Sequence, residues 1–331
     1  MRGLTGVAGL VALLVLAGCS GSGAGPAGQR QPVRSTAPTG AGAPSGPSTP
    51  SRPSTPSGPY VALGDSYTAG LQVAPAGGGP KGCGRSAVDY PALVAAGLKL
   101  APGQFADVSC SSATTADLTA AQSVTGGPNP PQLDALSADT RLVTVGIGGN
   151  DADFMSVVKK CAEDGLMNAA AKLVDPRAAR SAPCQAAYTA ADGSDKLAGV
   201  LDTVGQRLAG VLGEIARRAP RAKVYVVGYP ALLPADPASC APVLGGTVTA
   251  GDLAFLDTQE QRLNAVLRER AAAAGAGFVD TYTPSLGHDM CAGGPDRWIE
   301  PPLAAPGRAP LHPNAAGQQG MAAAVLRSVE G

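Results

Sequence analysis

Along residues 59–331, short apolar runs that stop on glycine or small polar residues are followed again and again by helical stretches. Residues 141–146 (Arg-Leu-Val-Thr-Val-Gly) are the clearest such run. Their β-branched, apolar character fits a parallel strand buried on both faces. Residues 60–63, 104–108, 223–227 and 276–279 read the same way. Helices are predicted over 90–98, 116–122, 152–160, 196–218, 249–273 and 321–329. The stretch 161–184 reads as an insertion with a short helix of its own. In 196–218, Leu201, Val204, Leu208, Leu212 and Ile215 share one face. Strands alternating with helices over crossover-length connections imply an α/β domain, its parallel sheet covered on both sides.

The rest of the chain places this domain outside the cytoplasm. Arg2 precedes an almost wholly apolar run, 4–17, which is short for a bilayer span and ends in Leu16-Ala17-Gly18-Cys19. Residues 1–18 therefore resemble a bacterial lipoprotein signal, with Cys19 the lipidated first residue of the mature chain and a membrane anchor. Residues 19–58 are rich in Gly, Ser, Pro and Thr, bury too little to offset chain entropy, and read as a disordered tether. Removing Cys19 leaves Cys83, Cys110, Cys161, Cys184, Cys240 and Cys291, an even set that implies disulfides in an exported domain. Spacing alone does not choose their partners. A formal net charge of zero over 331 residues leaves no basic footprint for nucleic acid. Neither Cys-x-x-Cys nor His-x-x-x-His occurs, so no metal site is expected.

Chemistry-bearing residues fall where the predicted strands end, the edge at which such sheets bind ligands. The first strand runs into Gly64-Asp65-Ser66-Tyr67, and a helix beginning there leaves unpaired N–H groups beside Ser66. That position suits a nucleophile that must also stabilise an oxyanion. The second strand runs into a small-residue turn through Ser111-Ser112, and the third into Gly148-Gly149-Asn150-Asp151. Asn150 offers a side-chain donor, or alternatively a helix N-cap. The chain has two histidines. His312, in Leu311-His312-Pro313-Asn314 before the last helix, is the favoured general base. His288, in a cysteine-bearing loop, reads as a pocket-wall or loop-ordering residue.

Taken in order, Gly64-Asp65-Ser66-Tyr67, Ser111-Ser112, Gly148-Gly149-Asn150-Asp151 and His312-Pro313-Asn314 resemble the GDSL (SGNH) hydrolase superfamily, and most of all its secreted actinobacterial esterases and lipases. The Gly-x-Ser-x-Gly elbow of α/β-hydrolases is absent from the domain. The resemblance implies a three-layer αβα, flavodoxin-like fold with about five parallel strands. It implies a carboxylic-ester hydrolase with Ser66 as nucleophile, His312 as base, and an oxyanion hole from the N–H groups of Ser66 and Ser112 and the side chain of Asn150. It also implies disulfides Cys83–Cys110, Cys161–Cys184 and Cys240–Cys291. A monomer acting on lipid or acylated glycan esters, without cofactor, is expected.

Two departures from the family pattern stand out. Ser112 occupies a position usually held by glycine. The family commonly places Asp three residues before the histidine, where this chain has Ala309. Some actinobacterial members orient the histidine through a main-chain carbonyl instead, so the C=O of Ala309 is expected to accept from His312 Nδ1–H. Asp289 and Asp296 are the alternative carboxylates. The departures also motivate a second reading, a non-catalytic envelope-binding lipoprotein that retains the hydrolase fold.

Overall fold

The computed structural model describes residues 58–331. The leader, Cys19 and all of the tether but its last residue lie outside the described residues. Five strands, β1 (Tyr60–Gly64), β2 (Phe105–Asp107), β3 (Leu142–Gly146), β4 (Lys223–Val227) and β5 (Gly277–Val279), form one sheet in the order β2-β1-β3-β4-β5. Every pairing is parallel. The chain steps outward from β1 to β2 and then in the opposite direction through β3, β4 and β5. The switch between β1 and β3 opens a crevice at their C-terminal ends.

Alternation along the strands assigns the two faces. Val61, Leu63, Val143 and Val145 face helices α5 (Ala198–Arg218) and α6 (Ala250–Ala273), meeting Leu208, Leu212, Ile215, Leu263 and Leu267 in one core. Tyr60, Ala62 and Leu142 face α2 (Tyr90–Gly97) and α7 (Ala315–Glu330) in a second core with Tyr90, Val94, Met321 and Val325. These layers make the three-layer αβα sandwich. A third apolar cluster lies among the loops and includes Val157, Leu232, Leu253, Met290, Ile299 and Leu311. The disulfides join Cys83 to Cys110, Cys161 to Cys184 and Cys240 to Cys291. Among the described residues no helix is long and apolar enough to cross a membrane.

Two expectations of secondary structure need correcting. Residues 116–122 are not an α-helix. A single 3-10 turn, Thr115–Leu118, is closed by Thr114 and Asp117, and Gln122 then leaves to exchange main-chain bonds with Asn129 at 2.9 Å. The helix predicted over 152–160 does not end at 160. Helix α3 (Phe154–Val174) runs unbroken through Cys161, because its Ala, Met, Leu and Lys residues favour helix and no proline interrupts them. Only Cys184 sits in a short helix of its own, α4 (Pro183–Tyr188).

The end of β1 is tightly built. Gly64 has φ +155°, and a Cβ there would lie 2.2 Å from Thr68 Oγ1 and 2.5 Å from the Gly146 carbonyl. The buried Gln132 amide clamps it from the other side, accepting from Gly64 N–H at 2.7 Å and donating to its carbonyl at 2.9 Å. Strand β1 is thus held at the point where Asp65 and Ser66 begin.

Candidate active site

Ser66 opens the short helix α1 (Ser66–Ala69), whose N-cap is Asp65. The Asp65 carboxylate accepts from Tyr67 N–H at 2.9 Å, and its other oxygen accepts from Tyr229 O–H at 2.5 Å. Burial pushes this carboxyl up to about 6, against the lowering effect of the Tyr229 and Tyr67 bonds. The Tyr229 oxygen in turn accepts from Gly149 N–H at 2.8 Å. One chain of hydrogen bonds therefore ties together the turns after β1, β3 and β4.

His312 reaches Ser66 from the other end of the sequence, its Nε2 2.8 Å from Ser66 Oγ. Its Nδ1 lies 2.7 Å from the carbonyl of Pro310. A carbonyl can only accept, so Nδ1 carries the proton in the neutral ring and Nε2 is left to accept from the serine hydroxyl. This corrects the expectation for Ala309. The Ala309 carbonyl accepts from the main-chain N–H of His312 at 3.3 Å, and the resulting turn brings the Pro310 carbonyl under the ring. Among the described residues no carboxylate bonds to His312. Asp289 Oδ1 accepts from Cys291 N–H, and the Asp296 carbonyl is the partner of His288. Burial lowers His312 below the ordinary imidazole value, opposed by the Pro310 bond.

The loop bearing His312 is fixed on several sides. Tyr67 donates to the Leu311 carbonyl at 2.5 Å, and its ring lies 4.9 Å from that of His312. Leu311 holds φ +60°, pinned by its N–H on the Glu300 carbonyl at 3.0 Å. Trp298 accepts through its carbonyl from Asn314 N–H, and its ring stacks on His288 at 4.2 Å. His288 thus orders this loop from outside the pocket.

Across the cleft, Asn150 Nδ2 donates to the Ala113 carbonyl at 2.8 Å, leaving one amide hydrogen for the cleft. Helix α3 begins only at Phe154, so Asn150 is not its cap. Asp151 anchors the same turn by accepting from Thr115 N–H and O–H at 2.9 and 2.6 Å. Ser112 stands at φ +63°, the left-handed conformation a glycine would adopt there. Among the described residues neither Ser66 N–H nor Ser112 N–H meets an acceptor. Ser66, Ser112, Asn150 and His312 all line one pocket of about 240 Å³, walled by Leu71, Phe154, Leu232, Leu263 and Glu260.

A hydroxyl bonded to a neutral imidazole, opposite several free N–H donors, can attack a carbonyl and receive the oxyanion that forms. The family model for the GDSL-like lipase/acylhydrolase family matches residues 62–319. The chain belongs to this family. It is 37% identical to Lipase 2 of Streptomyces coelicolor over 267 residues, 80% of this chain and 83% of the relative. It is 32% identical to an esterase of Streptomyces scabiei over 256 residues, 72% of this chain and 74% of that one. Among solved structures, the phospholipase A1 of Streptomyces albidoflavus superposes with TM-score 0.65 at 30% identity, covering 82% of this chain and 99% of the other. The extracellular lipase of Streptomyces rimosus gives 0.62 at 30% identity, covering 82% and 100%. Like them, this GDSL-family chain is a lipase/esterase-type hydrolase.

Sequence reasoning missed Tyr229, Pro310 and Glu260. Tyr229 follows β4 at the same sheet edge as Ser66 and Asn150, so the placement rule that found those two would have reached it. Glu260 is visible as an acid on the apolar face of α6, between Leu256 and Leu263.

Ser112 carries a Cβ in a conformation that costs an L-residue about 1–2 kcal/mol, and its hydroxyl has no hydrogen-bond partner among the described residues. Replacing it by glycine adds about 0.4–1 kcal/mol of unfolded-chain entropy to lose. Ser112→Gly should therefore raise stability by about 0.5–1 kcal/mol, read from the urea midpoint. A lower midpoint would contradict the strain assigned to Ser112.

Proposed function

We propose that the protein is an extracellular serine ester hydrolase, anchored to the membrane through Cys19, that works through Ser66 and His312. The observation that carries the mechanism is the Ser66 Oγ to His312 Nε2 hydrogen bond of 2.8 Å, with the ring's other nitrogen committed to the Pro310 carbonyl. Ser66 Oγ attacks the ester carbonyl as His312 Nε2 takes its proton. The carbonyl oxygen, now negative, is received by the N–H groups of Ser66 and Ser112 and by Asn150 Nδ2. His312 then gives its proton to the departing alcohol, leaving an acyl-Ser66 ester. Water, deprotonated by His312, attacks that ester through the same geometry and releases the acid.

The Pro310 carbonyl takes the place of a triad carboxylate. It fixes the tautomer and the ring plane, but as a neutral group it stabilises the imidazolium less. Export and anchoring are supported by residues 1–19, and export also by similarity to an extracellular lipase. The alternative of a non-catalytic binding protein drew on Ser112 and Ala309. Ser112 holding φ +63° and Pro310 supplying a carbonyl support the catalytic reading over it.

Residues 59–331 should hydrolyse p-nitrophenyl esters, and Ser66→Ala should abolish turnover. Because burial lowers His312, the ring should stay neutral past the ordinary imidazole value, so the acid limb of kcat/KM should lie below pH 6.5, with activity falling as pH drops through that limb. Activity that survives in Ser66→Ala, or an acid limb above pH 7, would contradict this assignment.

Tyr229→Phe strips Gly149 N–H of its acceptor and Asp65 of a donor, without touching the reacting groups. Its kcat should fall about 10-fold while KM stays within about two-fold, as expected when an oxyanion site loosens. Losing that donor should also raise the Asp65 value above about 6. Unchanged kcat, or a loss seen wholly in KM, would remove Tyr229 from the positioning network.

A further inference from the structure

Glu260 is a buried acid on α6. It is 3% exposed, lies between Leu256 and Leu263 on the buried face of α6, and forms part of the wall of the Ser66 pocket. Its Oε2 accepts from Leu232 N–H at 3.0 Å. Among the described residues Oε1 has no hydrogen-bond partner, and it is not one of the polar atoms sealed from solvent, so it opens onto the cavity. No lysine or arginine pairs with it among the described residues. Burial, with Asp257 nearby, holds the carboxyl well above the usual carboxylate range. Buried with no cation beside it, the carboxyl favours its neutral form, in which Oε2 takes the Leu232 N–H and Oε1 can present an O–H to the pocket.

The acyl group is the part of the substrate that stays longest against the pocket wall. After attack the alcohol must diffuse away, while the acyl chain stays bonded to Ser66 until water arrives. A plain alkyl chain laid against the Glu260 hydroxyl would strand a buried donor, and sites built this way discriminate strongly against substrates that cannot bond. An oxygen in the chain opposite Glu260 would accept it.

We infer that Glu260 is a specificity residue that donates a hydrogen bond to an oxygen carried by the acyl group, so that the preferred substrates are esters of oxygen-bearing acids rather than of simple alkanoic acids. The inference rests on Ser66 being the nucleophile.

The test is an ether scan. p-Nitrophenyl hexanoate and octanoate are compared with esters of equal length in which one methylene after another is replaced by oxygen. Each kcat/KM is divided by that ester's own hydroxide-catalysed rate. The wild-type protein should favour one oxygen position by about 10-fold or more. Glu260→Gln, whose amide can accept from Leu232 and donate to the cavity, should keep the preference. Glu260→Leu should lose it and gain on the all-carbon chains. If circular dichroism finds Glu260→Leu unfolded, Glu260→Met, which has similar length but no donor, replaces it. A flat scan in the wild type, or a preference that persists without a donor at 260, overturns the inference while Ser66-dependent hydrolysis continues. Absence of any Ser66-dependent hydrolysis overturns the underlying mechanism, and this inference with it.

Discussion

The buried carboxyl of Asp65 is the joint on which the site depends. It caps the helix that presents Ser66 and takes the Tyr229 hydroxyl, which itself holds the Gly149 amide next to Asn150. Three consecutive strand ends, β1, β3 and β4, are thereby fixed relative to one another with few side chains. The cost is a carboxyl desolvated enough to titrate at about 6, and the two donors that meet it offset part of that cost. The parallel sheet supplies the frame, since its switch between β1 and β3 sets Ser66 and Asn150 on either side of one crevice.

His312 must then be brought in from the far end of the chain. Its loop is strained at Leu311 and held by Tyr67, Glu300 and Trp298, so much of the local structure serves to aim one ring. With a carbonyl behind it instead of a carboxylate, the ring keeps its tautomer but not a counter-charge. Burial lowers its proton affinity in the free enzyme, which favours the neutral form that accepts from Ser66. The proposed chemistry thus relies more on geometry and backbone donors than on buried charge.

The strands were readable because a buried parallel sheet leaves an unmistakable signal, short β-branched runs such as Leu142–Gly146. Ser66, Ser112, Asn150 and His312 were readable because the turns carrying them are short and follow directly on a strand or precede a helix, and the structure brings all of them to one pocket. What failed were features that no sequence pattern reports. Gln122 turns away from helix because Asn129 pairs with it, and no local pattern reports that. Whether Ala309 or Pro310 faces the ring depends on a one-residue choice in a turn whose φ values the sequence does not print. Tyr229 and Glu260 act through contacts with residues far along the chain, so neither belongs to a motif.

The central claim is that Ser66 is an activated nucleophile and His312 the group that activates it. A serine-directed fluorophosphonate, followed by intact mass and peptide mapping on residues 59–331, tests this without any assumption about substrate. The account predicts one adduct, on Ser66, forming at least about 100-fold more slowly in His312→Ala. Labelling elsewhere, no labelling of the folded domain, or an equal rate without the histidine would contradict it.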